Sequence, residues 1–139
     1  MIRGIGVDVV AINRFERWKQ FPPERLSTIF SAQEVSDCRA NDTTLLIDKL
    51  AARFAAKEAF YKALSAVCVS YGLTSTTFSL RSLCPHVEVR YGTWGIPVLQ
   101  VDWAGVERLV GARVPRVDVH VSLSHEGDTA VAFVVIEEK

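Results

Sequence analysis

Three groups of side chains in this sequence could do chemistry. The first is Asp8, which follows Gly6-Val7 within an apolar opening segment. Glycine there lets a backbone or a phosphate come close, and a carboxylate among apolar residues wants a cation or a donor. The plainer alternative is that Asp8 caps the turn that follows. A dinucleotide fingerprint is absent, because its third glycine would fall at Val9.

The second group lies in Arg53-Phe54-Ala55-Ala56-Lys57-Glu58-Ala59-Phe60-Tyr61-Lys62. On a helix, Phe54, Glu58 and Lys62 share one face, so Glu58 stands between an aromatic ring and an ammonium. Its plainer reading is a surface pair with Lys62, worth about 0.3–0.5 kcal/mol. Arg53 and Lys57 are like charges one turn apart, an arrangement that makes sense when an anion lies between them.

The third group is Ser122-Leu123-Ser124-His125. A triad with Asp128 is weak, because adjacent residues of a strand point to opposite faces. Ser122 and Ser124 share the outward face, where two hydroxyls can bind phosphate oxygens or serve as ordinary edge polarity. His86 and His120 show no partners in the sequence. Should the fold bring Asp8 and Glu58 together, they would make a hard oxygen site for Mg²⁺. Lys62, Arg53 and Lys57 would then suit a polyphosphate.

The elements that must position these groups can be read from pattern. Residues 2–10 mix β-branched residues with glycine and predict a strand. Residues 11–20 predict a short helix with Ile12, Phe15 and Trp18 on one side and Arg14 and Arg17 on another. Phe21-Pro22-Pro23 ends it. Ser31-Ala32-Gln33-Glu34, preceded by Phe30, is a capping box. The strongest helix spans 45–66, rich in alanine and leucine, with Leu50, Phe54, Tyr61 and Leu64 near a 3.6-residue repeat. Residues 75–81, 87–90 and 98–101 are expected strands around a turn at 92–97, and 106–110 is ambiguous. Val117, Val119, Val121 and Leu123 alternate with polar residues, Glu126-Gly127-Asp128 turns the chain, and residues 129–136 return. The order predicts an α+β fold with the long helix packed on a mainly antiparallel sheet.

Composition narrows the classes. The 139 residues suit one domain over 1–139, and 49% apolar with 23% charged residues excludes disorder. Sixteen basic residues cancel sixteen acidic ones, which argues against a general nucleic-acid binder but not against a local basic patch. Cys38, Cys68 and Cys84 form no metal or disulfide spacing and fit reduced thiols in a cytoplasm. No apolar run is long enough for a membrane span, and Asp8 interrupts the only stretch resembling a signal peptide.

Three motifs carry a resemblance. GIGVDVV, RFAAKEAFYKAL and VHVSLSHEGDTAVAFVV resemble, in family order, the holo-acyl-carrier-protein synthases, the short type of 4′-phosphopantetheinyl transferase. The likeness is strong over residues 1–20, 50–64 and 119–136 and weak over 68–114. It implies an enzyme of fatty acid biosynthesis that moves the phosphopantetheine arm of coenzyme A onto a serine of acyl carrier protein and releases adenosine 3′,5′-bisphosphate. The nucleophile then belongs to the partner, and the base is open between Glu58, a water on the metal and a residue of the carrier. The resemblance implies that Asp8 and Glu58 hold Mg²⁺ against the pyrophosphate. It gives Lys62 a phosphate oxygen, and Arg53, Ser124 and His125 the nucleotide end. It further implies a homotrimer with sites between subunits and a contact from Arg14 to the acidic helix of the carrier, extended by Arg17 and Arg25. Val10 stands where the larger superfamily members carry a second acid, which supports the short type. Two departures stand out: Ser65 where a glycine is usual, and Ile96 in place of the lysine of a Gly-Lys-Pro turn. Two other readings compete. One is a metal-independent hot-dog-type thioesterase, the other a non-catalytic module that docks on carrier protein.

Overall fold

The architecture follows from one long helix and the sheet it covers. A computed structural model describes residues 1–41, 43–74 and 77–139. Strand β1 (Ile2–Ala11) leads into a 3-10 helix (Ile12–Gln20), then α1 (Pro23–Leu26) and α2 (Ala32–Asp37). Strands β2 (Arg39–Ala40) and β3 (Thr44–Leu45) form a small hairpin before α3 (Ile47–Ser70). After α3 come α4 (Leu80–Leu83), β4 (Val87–Tyr91), β5 (Pro97–Val101), α5 (Trp103–Val110), β6 (Val117–Glu126) and β7 (Thr129–Glu138). The principal sheet is antiparallel in the order β1-β7-β6, and β4 pairs with β5 beside it. The expected α+β layering is present.

Strand β1 alternates strictly. Gly4, Gly6, Asp8 and Val10 are buried, and they face Ile136, Val134, Ala132 and Ala130 of β7. A Cβ on Gly4 would run into the carbonyl of Ala63, and one on Gly6 into the carbonyl of Ala59. These glycines therefore let the backbone of α3 lie directly against β1. Two residues of strand advance about 6.6 Å and four residues of helix about 6 Å, so the registers nearly match. Gly4 meets Ala63 and Gly6 meets Ala59, which brings Asp8 level with the turn of α3 that precedes Ala59.

The 3-10 helix differs from the ordinary short helix that the pattern suggests. Ile12, Phe15, Trp18 and Phe21 recur every third residue, and a 3-10 winding stacks i and i+3 in one row. That row packs inward: Phe15 and Trp18 have ring centroids 4.6 Å apart, and Trp18 and Phe21 5.2 Å. The same winding puts Arg14 and Arg17 in one outward row. The capping box at Ser31 forms as expected, with Glu34 N–H donating to Ser31 Oγ and Ser31 N–H to Glu34 Oε1.

Two expectations fail in the middle of the chain. The strand expected over 75–81 is not found: Leu80–Leu83 is helical, capped by Ser79 and Ser82 in a capping box that the alternation masked, while residues 75 and 76 lie outside the described residues. The ambiguous stretch 106–110 belongs to α5, whose N-cap Asp102 accepts from the Gly105 N–H and whose C-cap Gly111 is left-handed. The helix expected over 45–66 begins two residues later and runs on to Ser70. No described helix is long and apolar enough to cross a membrane.

Candidate active site

Asp8 sits on the covered face of β1, where only 6% of it is exposed. Lys62 Nζ donates to Asp8 Oδ1 at 3.0 Å and to the Val7 carbonyl at 2.9 Å. The second oxygen, Asp8 Oδ2, is buried and has no hydrogen-bond partner among the described residues. The capping alternative is thereby excluded, because the 3-10 helix starts at Ile12 and its N-cap is Ala11, with no side-chain cap hydrogen bond.

Glu58 closes on the same point from α3. Burial first, then the negative charge of Asp8, raise its carboxyl above the ordinary range, while Lys62 and Arg14 pull it back. The Asp8 charge thus acts on Glu58, and Lys62 pairs with Asp8 and, among the described residues, makes no ion pair with Glu58. No further His, Cys, Asp or Glu joins them in a described group of three.

The remaining candidates divide between two cavities and the outer sheet face. Arg53 and His125 line a cavity of about 580 Å³ with Asp37, Asp48, Lys49 and Tyr91. The Arg53 guanidinium bonds the Lys49 carbonyl at 3.3 Å, lies 3.8 Å from Asp37 and sits 5.0 Å from the Tyr91 ring, while its Nε is buried without a partner among the described residues. Ser124 is not in that cavity: it pairs across from Val131 on the exposed face of β6. Arg17 and Arg25 line a second cavity of about 470 Å³ with Trp18, Phe21, Phe54 and Arg81. Arg14 stands on the adjacent surface with Arg17.

Lys57 does not belong to a phosphate site. It is 1% exposed and bonded inward, 2.7 Å from Glu34 Oε1. The anions implied by Arg53 and Lys57 are protein carboxylates: Asp37 and Glu34, one turn apart on α2, meet Arg53 and Lys57, one turn apart on α3. Asp128 fixes the start of the 3-10 helix by accepting from Ile12 N–H through its carbonyl and from Asn13 N–H through Oδ1, a structural role in place of a triad. His86 and His120 do have partners, Asp102 at 2.9 Å and Glu137 at 3.5 Å. All three thiols are free and buried, and burial pushes Cys38 and Cys84 up to about 11, so neither offers a thiolate at neutral pH.

Comparison with known proteins decides the family. The family model of the 4′-phosphopantetheinyl transferase superfamily matches residues 4–99. The chain belongs to that superfamily. A holo-[acyl-carrier-protein] synthase of Desulforudis audaxviator is 40% identical over 97% of this chain and 92% of that protein. One of Nocardia farcinica is 36% identical over 99% and 88%. A solved holo-(acyl-carrier-protein) synthase of Bacillus anthracis in complex with coenzyme A (3′,5′-ADP) superposes over 100% of this chain and 99% of that one, with TM-score 0.67 and 29% identity.

Sequence reasoning gave no place in a cavity to Arg81 or Tyr91, and read the aromatic pair Trp18 and Phe21 only as an apolar helix side and a helix end. The period-three row carried a signal for the last two. Arg81 and Tyr91 reach their cavities through segments whose placement the pattern either misread or left without a function.

Proposed function

We propose that this chain transfers the 4′-phosphopantetheine group of coenzyme A to a serine of apo-acyl carrier protein and releases adenosine 3′,5′-bisphosphate, a reading supported by its relatives' name, holo-[acyl-carrier-protein] synthase. A bond forms between the serine oxygen and the pantetheine-side phosphorus. The pyrophosphate bond breaks, its electron pair leaves with the bisphosphate, and the serine proton passes to a base. The observation that carries the reading is the buried Asp8 carboxylate held by Lys62 at 3.0 Å, with Glu58 under the influence of both. The thioesterase alternative loses its basis with membership of the transferase superfamily, and the non-catalytic one has no use for a buried, unpartnered carboxylate oxygen.

The residues fit Mg²⁺. Asp8 Oδ2 is a buried acceptor lacking a donor among the described residues, and Glu58, whose carboxyl feels the Asp8 charge, would supply a second hard oxygen. Asp8 and Glu58 would hold the ion, which supplies charge neutralisation to a pyrophosphate. Lys62 keeps Asp8 oriented through Oδ1 and has donor capacity left for a phosphate oxygen. Arg53 and His125 would bind the nucleotide end, and Ser124, on the other face of its strand, would reach it only from a neighbouring subunit. Arg14, Arg17 and Arg25 form the basic surface proposed to receive the acidic carrier.

A homotrimer of single domains spanning 1–139, working in the cytoplasm, completes the reading. The outer sheet face supports self-association, since Ile5, Val7, Val9 and Phe133 stand exposed together on β1 and β7. Light scattering on the pure protein tests that state. The activity is tested by incubating protein, apo-carrier, coenzyme A and Mg²⁺ and reading intact carrier mass, with a chelator as control. A carrier left unmodified in the complete mixture overturns the transferase reading, and equal modification with chelator overturns the metal.

A further inference from the structure

One buried ion pair has no part in the proposed chemistry. Lys57 has three donors and three acceptors: Glu34 Oε1 at 2.7 Å, the Ile29 carbonyl at 2.7 Å and the Cys84 carbonyl at 3.2 Å. Glu34 Oε1 also accepts from Ser31 N–H at 2.9 Å, and Oε2 from Val89 N–H at 3.0 Å. Neither side chain is more than 1% exposed. Burying two charges is costly, and apolar residues of similar volume often serve stability as well, so stability alone does not account for the pair.

Its acceptors show what it organises. Ile29 and Cys84 both line the 470 Å³ cavity that carries Arg17, Arg25 and Arg81. They come from segments far apart in sequence, and no backbone hydrogen bond among the described residues joins the stretch 22–31 to the stretch 79–86. Lys57 holds both carbonyls from beneath. Phe54, one turn earlier on α3, forms part of the same wall.

We infer that the Glu34–Lys57 pair is a positioning device that sets the spacing of the cavity walls and so tunes docking of the carrier protein, without acting on the metal-and-pyrophosphate site. The inference rests on the reading that an acidic carrier docks at this arginine-rimmed cavity.

The test uses the full chain carrying Lys57→Met with Glu34→Leu, which removes both charges together, beside Glu34→Gln, which keeps an oxygen for Lys57. The double variant folds by circular dichroism, and its KM for carrier rises about tenfold, while kcat and the KM for coenzyme A stay within about twofold. Glu34→Gln restores most of the carrier KM. A second readout follows Trp18, which lines the cavity, by acrylamide quenching in a Trp94→Phe, Trp103→Phe background, and quenching increases in the double variant. An unchanged carrier KM, an equal loss in kcat, or failure of the double variant to fold overturns the inference. Arg17→Glu separates the two readings. If it leaves the carrier KM unchanged, docking at this cavity fails, while Trp18 quenching still reports whether the pair shapes it.

Discussion

Helix α3 carries two lysine–carboxylate clusters of nearly the same composition on two of its faces. Toward α2, Lys57 meets Glu34, and each donor and acceptor oxygen of the pair has a partner. Toward β1, Lys62 meets Asp8, and there Asp8 Oδ2 has no partner among the described residues, Lys62 is 47% exposed, and the Glu58 carboxyl is raised. Residue types do not separate the two clusters. Counting partners does. A saturated buried pair holds backbone segments, whereas an unsaturated one open to solvent on one side is ready for a cation and a phosphate.

The sharpest way to break this contrast is to remove one charge from each cluster. Lys57→Met strands Glu34 in the interior and should cost about 3–5 kcal/mol of stability, read by denaturant unfolding. Asp8→Asn should leave the unfolding midpoint within about 1 kcal/mol, because the amide oxygen still serves Lys62 and the tension with Glu58 is relieved. Transfer by that variant should fall about 10³-fold, equivalent to roughly 4 kcal/mol of lost charge stabilisation, measured by carrier mass under saturating coenzyme A. If Lys57→Met keeps full stability, or Asp8→Asn keeps full transfer, the two clusters are not different in kind.

The sequence exposed the second cluster better than the first. Asp8, Glu58 and Lys62 stood out because a carboxylate after Gly-x-Gly and an i, i+4 pair are local patterns, and the glycines that let α3 approach β1 are visible in one dimension. Glu34 was legible only as half of a capping box. Its other role needs Lys57, Ile29, Cys84 and Val89, which only the folded chain brings together. For the same reason Lys57 looked like a phosphate ligand, since helical periodicity gives a face but not the neighbour on that face. Long regular elements were read to within a few residues, while Leu80 and Arg81, the start of a short helix, were read into a strand because serine and threonine alternation imitates an edge.

A smaller perturbation tests how finely the clusters are placed. Gly6→Ala forces a methyl against the Ala59 carbonyl, a backbone atom that cannot swing aside. It should cost about 1–3 kcal/mol, as overpacking does. The shift lifts α3 from β1 near Glu58, so transfer should fall more than stability alone explains, whereas Trp18 quenching, which reports the other face, should hardly change. Equal disturbance at both faces would mean that α3 moves as a rigid rod and that the clusters cannot be tuned apart.

The smallest expected effect is a titration. Asp8 and burial raise Glu58, so the folded state favours its protonated form. Ionising Glu58 therefore costs folding stability as pH rises through its raised pKa, the reverse of Asp102, whose lowered carboxyl loses its stabilising contribution as pH falls. Carboxyl carbon NMR should find Glu58 titrating above the usual glutamate range. Lys62→Met removes a charge that pulls it down and should move it higher, Arg14→Ala should move it the same way by less, and Asp8→Asn should bring it back toward normal. Added Mg²⁺ should drive it down, because a cation between two carboxylates favours both ionised forms. A Glu58 that titrates normally and ignores both Asp8→Asn and Mg²⁺ would place the two carboxyls in separate environments. The unsatisfied cluster would then be an ordinary lysine–aspartate pair with a glutamate nearby.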